Sequence, residues 1–229
     1  MSGLQAVFFD FDGVIADTEP LHLRAYQAIL TPDGIDLSKE EYYARYLGYD
    51  DVGLFEALAK DRGISVPEGR IDGWVKSKAE IVERMVASDS ILFPGAAACV
   101  RMFAARVPLA VASGALEPEI DIVLRQAGLR ECFAGIASAS DGVRGKPAPD
   151  LYLLAMAKLK AHAADRLDPA RCIAIEDSHW GIEAARAAGL RCVAVTSTYP
   201  AADLGQADLI VDRLASLTLP VVEQLIAGS

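Results

Sequence analysis

Basic residues are scarce beside acidic ones: 22 Lys and Arg stand against 32 Asp and Glu, a formal charge of −10. A chain of that sign disfavours nucleic acid and anionic membrane as partners, because both are polyanions. A small anionic substrate stays possible, since one lysine or a bound cation can hold it locally. Long apolar runs are also missing. No stretch approaches the roughly 20 residues that a spanning helix needs, and no basic segment introduces the first apolar run as in a secretory leader. The four cysteines (Cys99, Cys132, Cys172, Cys192) lack metal or redox spacing, and two fall inside strand-like runs. Buried free thiols in a reducing compartment are the expectation, and with them a cytoplasmic chain, monomeric or weakly dimeric. There is no internal repeat and no low-complexity tail. His162 and His179 have no partner pattern, and Trp180 reads as packing.

What is present is length enough for a large core, at 229 residues, and a hydrophobic period that switches repeatedly between strand and helix. Strand-like runs occur at 6–9, 107–112, 136–137, 171–175, 192–195 and 209–211, with helical stretches near 96–105, 149–159, 181–188 and 214–226. Such alternation predicts an α/β fold: a Rossmann-like parallel sheet core with helices on both faces. Residues from about Asp17 to Ser90 show helical patterning alone. Leu54, Phe55, Leu58 and Ala59 share one helical face, and Trp74, Ile81, Val82 and Met85 another. This block predicts an inserted all-helical cap at 17–89, with the catalytic core at 1–16 and 90–229.

Four segments carry chemistry. Asp10-Phe11-Asp12-Gly13-Val14 closes the first apolar run. Two carboxylates at a strand's carboxyl end lie where open α/β sheets keep their ligands. Alternate side chains face opposite ways, so the chain must bend after Asp10, and Gly13 supplies the freedom. Ser113-Gly114 ends the second run, offering a hydroxyl and unobstructed amides to phosphate oxygens. Gly145-Lys146-Pro147-Ala148-Pro149-Asp150 places a mobile point charge before a helix. Glu176-Asp177-Ser178 follows another strand and would complete a hard oxygen site for Mg²⁺. Each segment alone is weak, and together they specify one phosphate-handling site.

These segments, with Asp17-Thr18-Glu19-Pro20-Leu21-His22 and Gly181 three residues past Ser178, resemble the haloacid dehalogenase-like hydrolases. The resemblance is to the subgroup with a small helical cap, which includes β-phosphoglucomutase and sugar-phosphate phosphatases. It implies that Asp10 is the nucleophile and forms an aspartyl-phosphate, and that Asp12 is the general acid and base. It also implies Mg²⁺ held by Asp10, the Asp12 carbonyl and Asp177, with Glu176 orienting a metal-bound water. Ser113, Gly114 and Lys146 would hold the phosphoryl oxygens.

A cap would exclude water and read the leaving group; the connections near Asp17-Thr18 and Leu92–Pro94 are its candidate hinges. Arg45, Tyr49, Lys76, Lys78 and His22 are the candidate substrate readers, and Arg144 reads as a solvated loop residue. In the phosphoglucomutases an arginine after the Leu-Gly step grips a second phosphate. The nearest position here is Asp51, of the wrong sign, and Glu19 stands where the mutase has a small apolar residue. The expectation is therefore a Mg²⁺-dependent phosphatase acting on a small phosphorylated metabolite. A phosphosugar mutase and a non-catalytic regulatory protein on the same fold are the alternatives.

Overall fold

The computed structural model describes residues 3–88, 91–160 and 167–228; His162 lies outside them. Among the described residues six strands occur: β1 (Ala6–Phe9), β2 (Leu109–Ala112), β3 (Phe133–Ala137), β4 (Cys172–Glu176), β5 (Arg191–Val195) and β6 (Leu209–Val211). The helices are α1 (Glu19–Leu30), α2 (Lys39–Glu41), α3 (Asp51–Asp61), α4 (Arg70–Ser88), α5 (Ala96–Ala104), α6 (Glu117–Gln126), α7 (Asp150–Lys160), α8 (His179–Ala187) and α9 (Leu219–Ala227). They fall into two compact units, Met1–Asp17 with Ser90–Ser229, and Thr18–Asp89.

In the larger unit all strand pairs are parallel and the order is β3-β2-β1-β4-β5-β6. Central strands of a parallel sheet are covered on both faces, so they read as continuous apolar runs rather than alternating ones. Ala6, Val7, Phe8 and Phe9 are accordingly all fully buried. Successive side chains of β1 serve different layers. Phe8 meets Tyr152 of α7 edge-on at 6.5 Å, while Phe9 meets Phe103 of α5 at 6.3 Å and Phe133 at 5.9 Å. Small residues on the Phe8 face, among them Ala110, Ala112, Ala174 and Ala194, let α7 and α8 approach closely. Connections run to β2 and β3 on one side of β1 and to β4 on the other, so the order reverses between β1 and β4. A crevice at the carboxyl ends of these two strands is where such sheets bind ligands.

Element limits differ from the sequence reading in physically simple ways. Pro108 cannot donate to a ladder, so β2 begins at Leu109, while the Pro108 carbonyl still accepts from Val7 N. Strand β4 runs one residue further, making Glu176 its last member. Helix α6 was not anticipated. It opens on Glu117-Pro118-Glu119, favourable in a first turn, and buries only Ile120, Val123 and Leu124. Helix α8 begins at His179, because Ser178 caps it by accepting from Gly181 N.

In the smaller unit, among the described residues, every regular element is helical. Leu23, Tyr26, Leu30, Tyr42, Tyr46, Leu54, Phe55, Leu58 and Trp74 form its core. Asp50 caps α3 by accepting from Gly53 N at 2.7 Å. A π-helical turn at Tyr42–Tyr46 turns both of those tyrosines inward. Among the described residues no helix is long and apolar enough to cross a membrane.

Candidate active site

The chain turns immediately after β1. Asp10 N donates to the Ile175 carbonyl and thus continues the β1–β4 ladder, whereas the amides of Ile15 and Ala16 both return to the Phe11 carbonyl. Gly13 closes the turn at φ 75° and sits against the residue that follows β4: a Cβ there would lie 1.8 Å from Asp177 Oδ2. Its carbonyl accepts from Ser197 Oγ. Gly13 is thus required twice, for its left-handed backbone and for the closeness of a carboxylate.

Asp10 is buried, with Oδ1 accepting from Phe11 N at 2.7 Å. Lys146 brings its ammonium to Asp10 Oδ2 at 2.9 Å and to Glu176 Oε1 at 2.6 Å. The same Oε1 accepts from the hydroxyl of Tyr152 at 2.6 Å. Glu176 is fully buried, and its Oε2 takes weaker contacts from Asp177 N and Ser178 Oγ. Asp177, also buried, is hydrogen-bonded by Thr198. Lys146 and Pro147 are joined by a cis peptide bond.

The electrostatics follow from crowding. Burial, then the Asp10 charge, raise the Glu176 carboxyl to about 7, against the pull of Lys146. Burial and the charges of Asp10 and Glu176 push Asp177 well above the usual carboxylate range. For Lys146 burial pulls the other way, but Asp10 and Glu176 outweigh it and the ammonium is held more firmly than usual. Tyr152 is pushed well up, first by burial and then by Glu176, so its hydroxyl remains a donor.

Three buried carboxylates therefore cluster with one ammonium, which pairs with two of them, Asp10 and Glu176. Ligand oxygens of Asp10, Glu176 and Asp177 all lie within 4.8 Å of one another. Uncompensated negative charge in a buried place is unfavourable, and a cation is the natural counter-charge. The all-oxygen donor set fits a hard divalent ion. Asp10, Glu176 and Asp177 could each lend it an oxygen, shared with the partners they already have.

The remaining candidates divide. Asp12 lies in the turn, partly buried, and is not among the three clustered side chains. Ser113 leaves β2 beside β1, fully buried, with Oγ accepting from Ala115 N. Gly114 is exposed and faces open space. In the helical unit Lys78 is buried, donating to His22 Nδ1 and to Asp51 Oδ1, both at 2.7 Å. Tyr26 donates to the same Asp51 oxygen at 2.6 Å. Asp51, Lys78 and His22 are thus members of one internal network. Arg45 pairs with Asp61 at 2.7 Å, whereas Tyr49 and Lys76 are exposed. Glu19 accepts from Tyr42. Arg144 is exposed and pairs with Asp150. Trp180 packs at the surface: it is 38% exposed, stacks on His179 and meets Tyr199 edge-on. A cavity of about 720 Å³ also lies in this unit, beside Asp33, Arg70 and Trp74, whose polar groups satisfy one another. Tyr152 and Thr198 were not anticipated. The hydroxyl run Thr196-Ser197-Thr198 after β5 was a usable signal, since it leaves the same sheet edge; Tyr152 had none beyond being a tyrosine in an apolar helix.

Comparison with known proteins gives the family. The family model for haloacid dehalogenase-like hydrolases matches residues 4–189, and the chain belongs to that family. It is 32% identical to Protein CbbY of Rhodobacter capsulatus over 235 residues, covering 97% of this chain and 99% of that protein. It is 30% identical to fructose-1-phosphate phosphatase YqaB of Escherichia coli, covering 82% and 95%. Among solved structures, a mutant CbbY of Rhodobacter sphaeroides in complex with xylulose-(1,5)bisphosphate is similar with a TM-score of 0.79. That match has 29% identity and covers 93% of this chain and 96% of that one.

Two outcomes follow for stability. A Cβ at Gly181 would lie within 1.9–2.2 Å of the Glu176 carboxyl group, whereas one at Gly73, also helical, meets nothing within 4 Å. Gly181→Ala should lower the unfolding free energy by about 2–4 kcal/mol. Gly73→Ala should raise it by about 0.5–1 kcal/mol; denaturant titration checks the opposite signs. The second outcome concerns His22, whose imidazole is lowered from 6.5 to about 4, by burial first, then by Lys78, with Asp51 opposing. Between those values the unfolded chain binds a proton that the folded one refuses. Its contribution is thus complete above pH 6.5 and is lost as pH falls towards 4, on the order of 2–3 kcal/mol. His22→Gln should flatten that part of the profile, read by Trp74 fluorescence in a Trp180→Phe background.

Proposed function

We propose that the chain is a Mg²⁺-dependent phosphatase that hydrolyses a small sugar phosphate through an aspartyl-phosphate on Asp10. The observation that carries the reading is the convergence of Lys146 on Asp10, beside Asp177 and within a surplus of buried negative charge. Phosphatase and bisphosphate-bound relatives across nearly the whole chain support the substrate class. Free cysteines and the absence, among described residues, of a membrane-length helix are compatible with a cytoplasmic place of work.

In this reading a carboxylate oxygen of Asp10 attacks phosphorus while the bond to the leaving oxygen breaks. Asp12 passes its proton to that oxygen, and the alcohol departs. Asp12 then takes a proton from the water that attacks the acyl phosphate, which frees phosphate and restores Asp10. Lys146, the Ser113 hydroxyl and the Gly114 amide hold the phosphoryl oxygens and stabilise charge spread over them. Mg²⁺ bound by Asp10, the Asp12 carbonyl and Asp177 would offset the repulsion between nucleophile and phosphate. Selectivity for the leaving group is assigned to the helical unit, with Tyr49 and Lys76 as its exposed readers. Arg45, Lys78 and His22 are engaged by partners there and are secondary. Asp51, tied to Tyr26 and Lys78, is unsuited to a second phosphate, which weighs against a mutase.

Wild-type protein should release free phosphate from one or more of fructose 1-phosphate, hexitol phosphates and xylulose bisphosphate, and excess chelator should stop it. Asp10→Asn should reduce turnover by at least about 10³-fold with the fold retained. Near-normal turnover by that variant would refute the nucleophile. Isomerised product without free phosphate would mark a mutase instead.

A further inference from the structure

We propose that Tyr152 is a positioning residue: its hydroxyl holds Glu176 so that Lys146 stays aimed between Asp10 and an incoming phosphoryl oxygen. None of the four motifs contains this residue; its hydroxyl bonds Glu176, and its ring lies against the Lys146 ammonium.

The geometry is one of shared lone pairs. A lysine ammonium has three donors. One goes to Asp10 Oδ2 at 2.9 Å and one to Glu176 Oε1 at 2.6 Å, leaving the third for a ligand; the side chain is 12% exposed. Glu176 Oε1 in turn has two acceptor directions. Lys146 takes one and the Tyr152 hydroxyl the other, at 2.6 Å. Without that hydroxyl, Oε1 keeps an unanswered lone pair in a fully buried place, where such a deficit is costly. Lys146 is the donor at hand, so it would draw closer to Glu176 and away from Asp10. The tyrosine ring limits the ammonium as well, lying 5.4 Å from Nζ. The ring is itself fixed edge-on against Phe8 of the central strand, at 6.5 Å and 81°. The aim of the cation is therefore set from the middle of the core, through α7.

Tyr152→Phe removes the hydroxyl and keeps the ring, which separates aim from packing. The probe is inorganic phosphate, titrated by calorimetry in the presence of Mg²⁺ into the full-length protein, so turnover is not needed. Tyr152→Phe should weaken phosphate binding about tenfold, the scale of a lost hydrogen bond to a charged group. In a Lys146→Ala background the same change should alter binding less than twofold, because nothing is left to aim. If Tyr152→Phe does not fold, Glu176→Gln opens the clamp from its other end. It should weaken phosphate comparably, again with less than a twofold effect when Lys146 is already alanine. Unchanged binding in the folded variant, or an equal loss with and without Lys146, would overturn the proposal and reduce Tyr152 to packing. The proposal rests on the phosphatase reading only for the identity of the anion. Wild-type protein that binds phosphate but hydrolyses no ester would sink that reading and leave this test standing.

Discussion

One buried ammonium is divided between two buried carboxylates, and the carboxyl edge of the sheet is arranged around that division. Lys146 reaches Asp10 and Glu176 together. Removing ions from water costs several kcal/mol each, about as much as a good pairing returns. A cluster of three carboxylates and one lysine is therefore unfavourable as a structural device. It makes sense where the missing positive charge arrives with a ligand. Stability has been given up locally in return for a site that holds cation and phosphate.

The parallel sheet makes the division possible. Three of the four segments leave strands that are neighbours in the order β2-β1-β4, so groups separated by more than a hundred residues emerge side by side. The fourth, bearing Lys146, is brought in by the loop that opens α7, and the packing of α7 on β2 and β3 brings Tyr152 with it. Two glycines keep the layers close: Gly13 against Asp177, Gly181 against Glu176. Larger side chains at either position would push a carboxylate out of the cluster.

The helical unit follows a different logic. Several of its polar groups are satisfied within it: Lys78 and Tyr26 by Asp51, Tyr42 by Glu19, Arg70 and Trp74 by Asp33. Lys78 looked like an available cation in the sequence, but buried lysines need partners, and Asp51 is one. The charge that counted against a second phosphate at Asp51 is the charge that neutralises this lysine.

Strand and helix periods, the bend after Asp10 and the acidic ends of strands were legible from residues alone, because burial on both faces and backbone geometry leave local signatures. Family membership was legible for the same reason: its motifs are short and local. Helix α6 escaped because it is short and buries only three residues, Ile120, Val123 and Leu124. Tyr152, Thr198 and the engagement of Lys78 with His22 and Asp51 could be found only in three dimensions. Hydrogen bonds between residues 21 to 56 positions apart depend on which elements pack together, and no local period records that.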